Sequence, residues 1–229
     1  MNGLVLLANL NFAWFIAAFI VFIGGSMIWS HFREKKRREL LDQVANDMQL
    51  TYMKDGDHNL HEFFSSAKLF STGRGRKLTN LIKGETDEVE IAIFDYQYTT
   101  GSGKNQTTHR RSVAGLRSTY LMPIPAFTMR PEGMLDKIGG AMGFQDFDFE
   151  SHPRFSDMFV LQGSSEEEVR ALFTPALLEF FEQKAGITIQ TVPGGLLYFR
   201  GNRRVKPEEF KDLLSDAYEI FGLLIDSQA

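Results

Sequence analysis

Apolar positions dominate the start of this chain. From Leu4 to Trp29 there is no Asp, Glu, Lys or Arg, and from Phe12 onward only Gly24, Gly25 and Ser26 interrupt the apolar residues. A hydrocarbon core about 30 Å thick takes roughly 20 helical residues to cross. A single crossing segment must be helical, because lipid offers its backbone no hydrogen-bond partner. Residues 1–32 are therefore expected to form a short tail and a transmembrane helix. A cleaved signal peptide would carry its basic residues before the apolar core and a small-residue cleavage site after it. Here the bases follow the core, the core is too long, and Gly25-Ser26-Met27 fits such a site poorly. A retained anchor is the better reading.

The period then becomes helical on one face only. Leu40, Leu41, Val44, Ala45 and Met48 recur at spacings of three and four, which predicts an amphipathic juxtamembrane helix within residues 33–52. Its apolar face would dock on the domain that follows; pairing with a second copy is the alternative. Lys54-Asp55-Gly56-Asp57 reads as a turn, and a short helix is expected over 59–66 with Leu60, Phe63 and Phe64 inward. Strand patterns follow. Lys77–Ile82 and Val89–Tyr98 form a hairpin through residues 83–87, and Val89, Ile91 and Ile93 alternate with Glu90 and Ala92. Thr99–Thr108 is polar and reads as a loop, with a returning strand over Ser112–Leu121. Ala126–Met129 is a further short strand, and Pro131 to about Gly139 a short helix.

A Gly-rich link at residues 139–143 marks a possible sub-boundary inside the domain expected at 53–229. Beyond it, Phe159–Gln162 is a strand, and Ser165 with Glu168 caps a helix. Pro175 restarts that helix, with Leu177, Leu178, Phe180 and Phe181 buried. Ile187–Val192 and Leu196–Arg200 form a hairpin through Pro193-Gly194-Gly195. Pro207 opens a last helix with Phe210, Leu213, Leu214, Ala217, Phe221 and Leu224 on one stripe. The expected fold class is α+β: an N-terminal transmembrane helix, then a mostly antiparallel sheet with packed helices.

Charge adds orientation. Arg33, Lys35, Lys36, Arg37 and Arg38 follow the apolar run at once. Positive residues stay in the cytoplasm, so a single-pass inner-membrane protein is expected, with its N-terminus outside and its domain cytoplasmic. The collar would also attract anionic lipid headgroups. With those five bases and Glu34 set aside, 20 Lys and Arg face 28 Asp and Glu, about −8. That balance argues against nucleic acid as a partner, which needs Lys and Arg clustered over a binding face. The 21 Phe residues imply an aromatic core, and the absence of Cys excludes disulfides, zinc–thiolate sites and a thiol nucleophile.

Candidate chemistry is sparse. Gly101-Ser102-Gly103-Lys104 lacks the first Gly of a phosphate loop and has Asn105 where Ser or Thr belongs; a hairpin tip is expected. Gly73-Arg74-Gly75-Arg76-Lys77 could present backbone amides and the cations Arg74, Arg76 and Lys77 to an anion or headgroup, or be a basic turn. Asp146, Asp148 and Glu150 alternate with Phe147 and Phe149, which puts three carboxylates on one side of an extended segment. With His152 they could hold Mg or Ca; the plainer account is solvent-facing acids over buried Phe, paired with Arg130 or Arg154. His58 and His61 with Glu62 match no zinc-protease order. No hydrolase elbow, kinase set or dinucleotide fingerprint is present, and no cofactor is expected.

The phrases Phe94–Lys104 (FDYQYTTGSGK) and Asp146–Ser156 (DFDFESHPRFS) resemble an uncharacterised bacterial group with one N-terminal transmembrane helix and a cytoplasmic α+β domain. The resemblance implies architecture and carries no activity. An anchored interaction or scaffold module, with a protein partner or a second copy of itself, is expected ahead of an enzyme. A metal-dependent enzyme or sensor on the acidic face and a headgroup-sensing domain on the basic residues are the alternatives.

Overall fold

The computed structural model describes residues 2–133 and 146–228, and within them the side chains of residue 19 and of residues 21 onward. Two compact units divide the chain, Met1–Leu40 and Leu41–Ala229. Helix α1 (Asn2–Asp47) takes in the first unit and supplies the opening turns of the second. Among the described residues no helix is long and apolar enough to cross a membrane. Most of the span expected from Leu4 to Trp29, residues 4–18 and 20, lies outside the described side chains.

The second unit is α+β. After α1 come β1 (Thr51–Asp55), α2 (His58–Phe63), α3 (Lys68–Ser71), β2 (Arg74–Glu85), β3 (Glu90–Thr100), β4 (Thr107–Arg117) and β5 (Phe127–Pro131). Then follow α4 (Pro153–Met158), β6 (Phe159–Gly163), α5 (Glu166–Leu172), α6 (Pro175–Phe181), β7 (Ile187–Val192), β8 (Gly195–Arg200) and α7 (Phe210–Asp226). The eight strands form one sheet in the order β1-β2-β3-β4-β8-β7-β5-β6, with every neighbouring pair antiparallel.

Alternation along the strands fills both faces. On one side Ile82, Ile93, Ala114, Leu116, Ile189 and Tyr198 meet Leu41 and Ala45 of α1, the helices α4–α6, and the α7 stripe. On the other, Leu81, Phe94, Tyr96, Tyr98, Val113 and Phe199 meet α2 and α3 through Leu60, Phe64, Leu69 and Phe70. Neither face is left to solvent, so β3 carries an almost continuous buried run rather than a half-polar one. Of the helix expected within 33–52, the part from Leu41 onward docks on the sheet: Leu41 and Ala45 are fully buried, and Val44 and Met48 pack beside them.

Several boundaries differ from the expectation. The turn placed at 54–57 is strand as far as Asp55, which pairs with Thr79. The loop placed at 99–108 is ladder at both its ends: Thr99 pairs with Thr108 and Thr100 with Thr107, leaving a shorter tip with a 3₁₀ turn at Gly103–Asn105. β-Branched threonines favour the pleat, and their polarity hid the strand. The strand expected over 112–121 ends at Arg117, where Ser118 caps a 3₁₀ turn. Pro207 opens a 3₁₀ turn that leads into α7, whose stripe buries Ile220 while Phe221 is half-buried. The helix expected from Pro131 to Gly139 and the link at 139–143 fall largely outside the described residues.

Candidate functional site

Antiparallel register gives the β1–β4 half of the sheet two unlike ends. At the first, the β2–β3 turn (Glu85 beside Glu90) lies with the C-terminus of β4. Here a cleft of about 500 Å³ opens over Leu60, Leu81, Ile91, Ala92 and Gly115. A Cβ on Gly115 would stand 3.4 Å from both Leu197 Cδ2 and Phe64 Cε2, so the missing side chain helps keep the floor low. Two ion pairs wall the cleft: Lys83 Nζ to Asp57 Oδ2 at 2.9 Å, and Arg117 Nη1 to Glu90 Oε2 at 2.7 Å. Asp57 is also the N-cap of α2, accepting from the Asn59 N–H at 2.9 Å. The hydrogen bond from Lys83 is the main reason its carboxyl sits below the usual carboxylate range. Arg117 lies 4.1 Å over the Phe63 ring, and its Nε is buried with no partner among the described residues. No Ser or His lines the cleft. An apolar floor under paired charges suits binding rather than acid–base chemistry.

Between the ends runs a buried polar seam. Tyr52 Oη donates to Asn80 Oδ1 (3.0 Å), Asn80 Nδ2 to Asp95 Oδ2 (2.9 Å), and Ser112 Oγ to Asp95 Oδ1 (2.7 Å). Arg204 Nη1 reaches Asp95 Oδ2 at 3.5 Å, and the Val205 N–H donates to Ser112 Oγ. Asn80 sits at φ 53° beside a register shift in β2, which turns its amide into the seam. On the opposite face Arg111, 3% exposed, is held between the rings of Tyr98 and Phe199 and donates to Tyr98 Oη and Asn202 Oδ1. Burial pushes the Tyr96 phenol up to about 12. Sequence reasoning missed this seam. Its signal was a row of Asn80, Asp95 and Ser112 at inward positions of apolar strands, visible only once the register is known.

At the other end stand the basic residues singled out in sequence. Arg74, Arg76 and Lys77 are exposed there, but the segment is strand rather than an isolated turn. Arg74 Nη1 donates to the Gly101 carbonyl at 2.7 Å, and Arg76 Nη1 to the Phe70 carbonyl at 2.6 Å. The collar residues Arg33, Lys35, Lys36, Arg37 and Arg38 lie on α1; Lys35 faces Glu39 at 3.9 Å, and Arg33 stacks 4.8 Å over Trp29.

The acidic face has a different use. Asp146 Oδ1 accepts from the Leu161 N–H at 2.7 Å, and the Phe147 N–H donates to the Leu161 carbonyl at 2.9 Å, so this segment covers part of edge strand β6. Phe147 is buried and Phe149 half-buried, as the alternation required. The Asp148 carbonyl accepts from Arg170, Glu150 is exposed, and His152 Nδ1 is 3.0 Å from Ser151 Oγ. Asp146, Asp148, Glu150 and His152 are not drawn together: among the described residues no group of three His, Asp or Glu side chains could hold a metal ion. Burial, reinforced by the Asp148 charge, raises the Asp146 carboxyl above its ordinary range despite the Leu161 amide.

No family model and no curated protein matches the chain. Among solved structures, its fold is similar to that of the mycobacterial trehalose monomycolate transport factor A, TtfA. The TM-score is 0.58 at 13% identity, over 83% of this chain and 94% of that one, a likeness of fold alone.

Proposed function

We propose that this chain is a membrane-tethered binding module: one helix holds it in the inner membrane, and residues 41–229 face the cytoplasm and engage a protein partner or a second copy. The observation that carries this reading is the charge-free run Leu4–Trp29 followed at once by the Arg33–Arg38 collar. Behind it stands a unit with its own doubly covered core. The cleft beside Lys83 and Arg117 is the seat for the partner, since a small apolar floor rimmed by charge matches a peptide side chain with polar neighbours. The fold likeness to a protein named as a trehalose monomycolate transport factor supports a role at a membrane. The resemblance of Phe94–Lys104 and Asp146–Ser156 to anchored bacterial proteins of unassigned role agrees with it.

The test is fractionation of the full chain with a C-terminal tag. The tag should stay with membranes through an alkaline carbonate wash and resist protease until the inner membrane is opened. Release by carbonate would end the tether reading. Cross-linking in those membranes, followed by mass determination, should give a defined adduct that Arg117→Ala weakens. A chain that cross-links to nothing would end the interaction reading.

A further inference from the structure

The basic end of the sheet is larger than any one stretch of sequence suggests. Three segments converge there: the start of β2, the β3–β4 hairpin, and the loop after β8. Register joins them, with Arg74 opposite Thr99 and Lys77 opposite Gln97, which in turn faces Arg110. The Asn202 side chain bonds to Arg111 and His109 of β4, and so pins the loop after β8 to the same end. Residues 65–78, 96–112 and 200–207 carry Lys or Arg at eleven positions and no Asp or Glu at any. This concentration occurs in a chain whose formal net charge is −4. Asp95, the nearest acid in β3, is buried in the seam, where Arg204 faces it.

We propose that this end is a docking surface for anionic phospholipid headgroups, built from Arg74, Arg76, Lys77, Lys104, Arg110 and Arg203. All six are exposed. Arg74 and Arg110 bond to neutral acceptors, the Gly101 carbonyl and the Gln106 and Gln97 side-chain carbonyls, so their charge is not neutralised by these contacts. A bilayer fits the surface better than a protein does. Protein interfaces have an apolar centre, whereas the large exposed apolar side chains among the described residues lie on α1 and at Tyr120 and Met122, beyond the opposite end of β4. Cations spread over three chain segments match a laterally continuous negative surface, and each adds attraction that falls off within a Debye length. Tethering through α1 would keep that surface at high effective concentration. The proposal rests on the tether reading above and gives it a second, salt-sensitive contact.

The experiment uses the full chain in nanodiscs of phosphatidylcholine alone, or with phosphatidylglycerol added, and reads amide hydrogen exchange. Residues 73–77 and 101–110 should exchange about threefold more slowly or better in the anionic discs, while β7 is unchanged. High salt should erase the difference, as should Lys104→Glu with Arg203→Glu, two exposed changes whose melting temperature verifies the fold. Equal exchange in both discs by an integrated chain would overturn the proposal. Slowing by added polyglutamate in phosphatidylcholine discs, with none from phosphatidylglycerol, would overturn it in favour of an acidic protein. Failure to co-elute with discs would instead count against the tether, and vesicle flotation of the free chain then decides: salt-sensitive flotation with phosphatidylglycerol upholds the surface, and no flotation ends it.

Discussion

Two carboxylates of this domain respond to acid in opposite directions. Folding lowers the pKa of Asp57 through Lys83, so its contribution to stability is present above the unfolded value of about 4 and is lost as pH falls through the folded value. Folding raises that of Asp146 through burial, so its carboxylate costs stability at neutral pH and the cost disappears as pH falls through its raised value. Asp146→Asn keeps an oxygen for the Leu161 N–H and removes the charge. It should raise the urea midpoint at neutral pH, with the gain vanishing in acid; equal gains at both would exclude titration as the cause. Asp95 is the contrary case. It is 2% exposed and is the acceptor for Asn80, Ser112 and Arg204. Asp95→Ala leaves those donors without it and should cost about 3 kcal/mol, against roughly half that for Asp95→Asn. A loss for Asp95→Ala of under about 1 kcal/mol in urea unfolding would mean that water replaces the carboxylate without strain.

The elements legible in advance were those with a strong period. The α1 face through Leu41 and Ala45 and the α7 stripe could be read because one-sided burial repeats along them, the β3 run because its residues are apolar on both faces, and the start of α6 because Pro175 opens it. What escaped was short or polar. β1 is a five-residue edge strand with Lys54 and Asp55 at its end, the composition that protects a free edge, and it looks like a turn. Helices α3 and α4, of four and six residues, are too brief to show a period. The pairing of β5 with both β6 and β7 is a long-range choice that no local pattern encodes. Among the site residues, Arg74, Arg76 and Lys77 could be named in sequence, but their neighbours Lys104, Arg110 and Arg203 become neighbours only through the sheet. The hairpin tip that carries Lys104 depends on Gly101, which sits at φ +77° where a Cβ would stand 2.2 Å from the Asn105 carbonyl oxygen. Gly101→Ala should cost about 1–3 kcal/mol by strain and contact. It should also speed amide exchange at 101–107 far more than in β7; an effect spread evenly over the sheet would place the strain elsewhere.

At the scale of the whole molecule, the division at Leu40 makes a prediction about where the chain may be cut. The core of the second unit begins at Leu41, which is fully buried, as is Ala45; Val44, Met48 and Leu50 pack beside them. Leu50 also covers Gly84, where a Cβ would stand 2.3 Å from its Cδ2. A fragment 41–229 keeps all of these contacts, whereas a fragment 51–229 uncovers part of the apolar cluster on that face of the sheet. Losing one buried Leu, one buried Ala and three partly buried side chains should cost roughly 4–6 kcal/mol. For a domain of this size that lowers the melting temperature by about 10–20 °C. The shorter fragment should also aggregate, since the uncovered surface is apolar. Fragment 41–229, in contrast, should melt within a few degrees of the full chain in detergent. If it melts as low as 51–229, residues before Leu41 belong to the domain energetically, and the collar is structural as well as electrostatic. If it matches the full chain, the apolar run and the folding of the sheet are separable, so changes in that run leave unaltered the sheet that presents the cleft and the basic end.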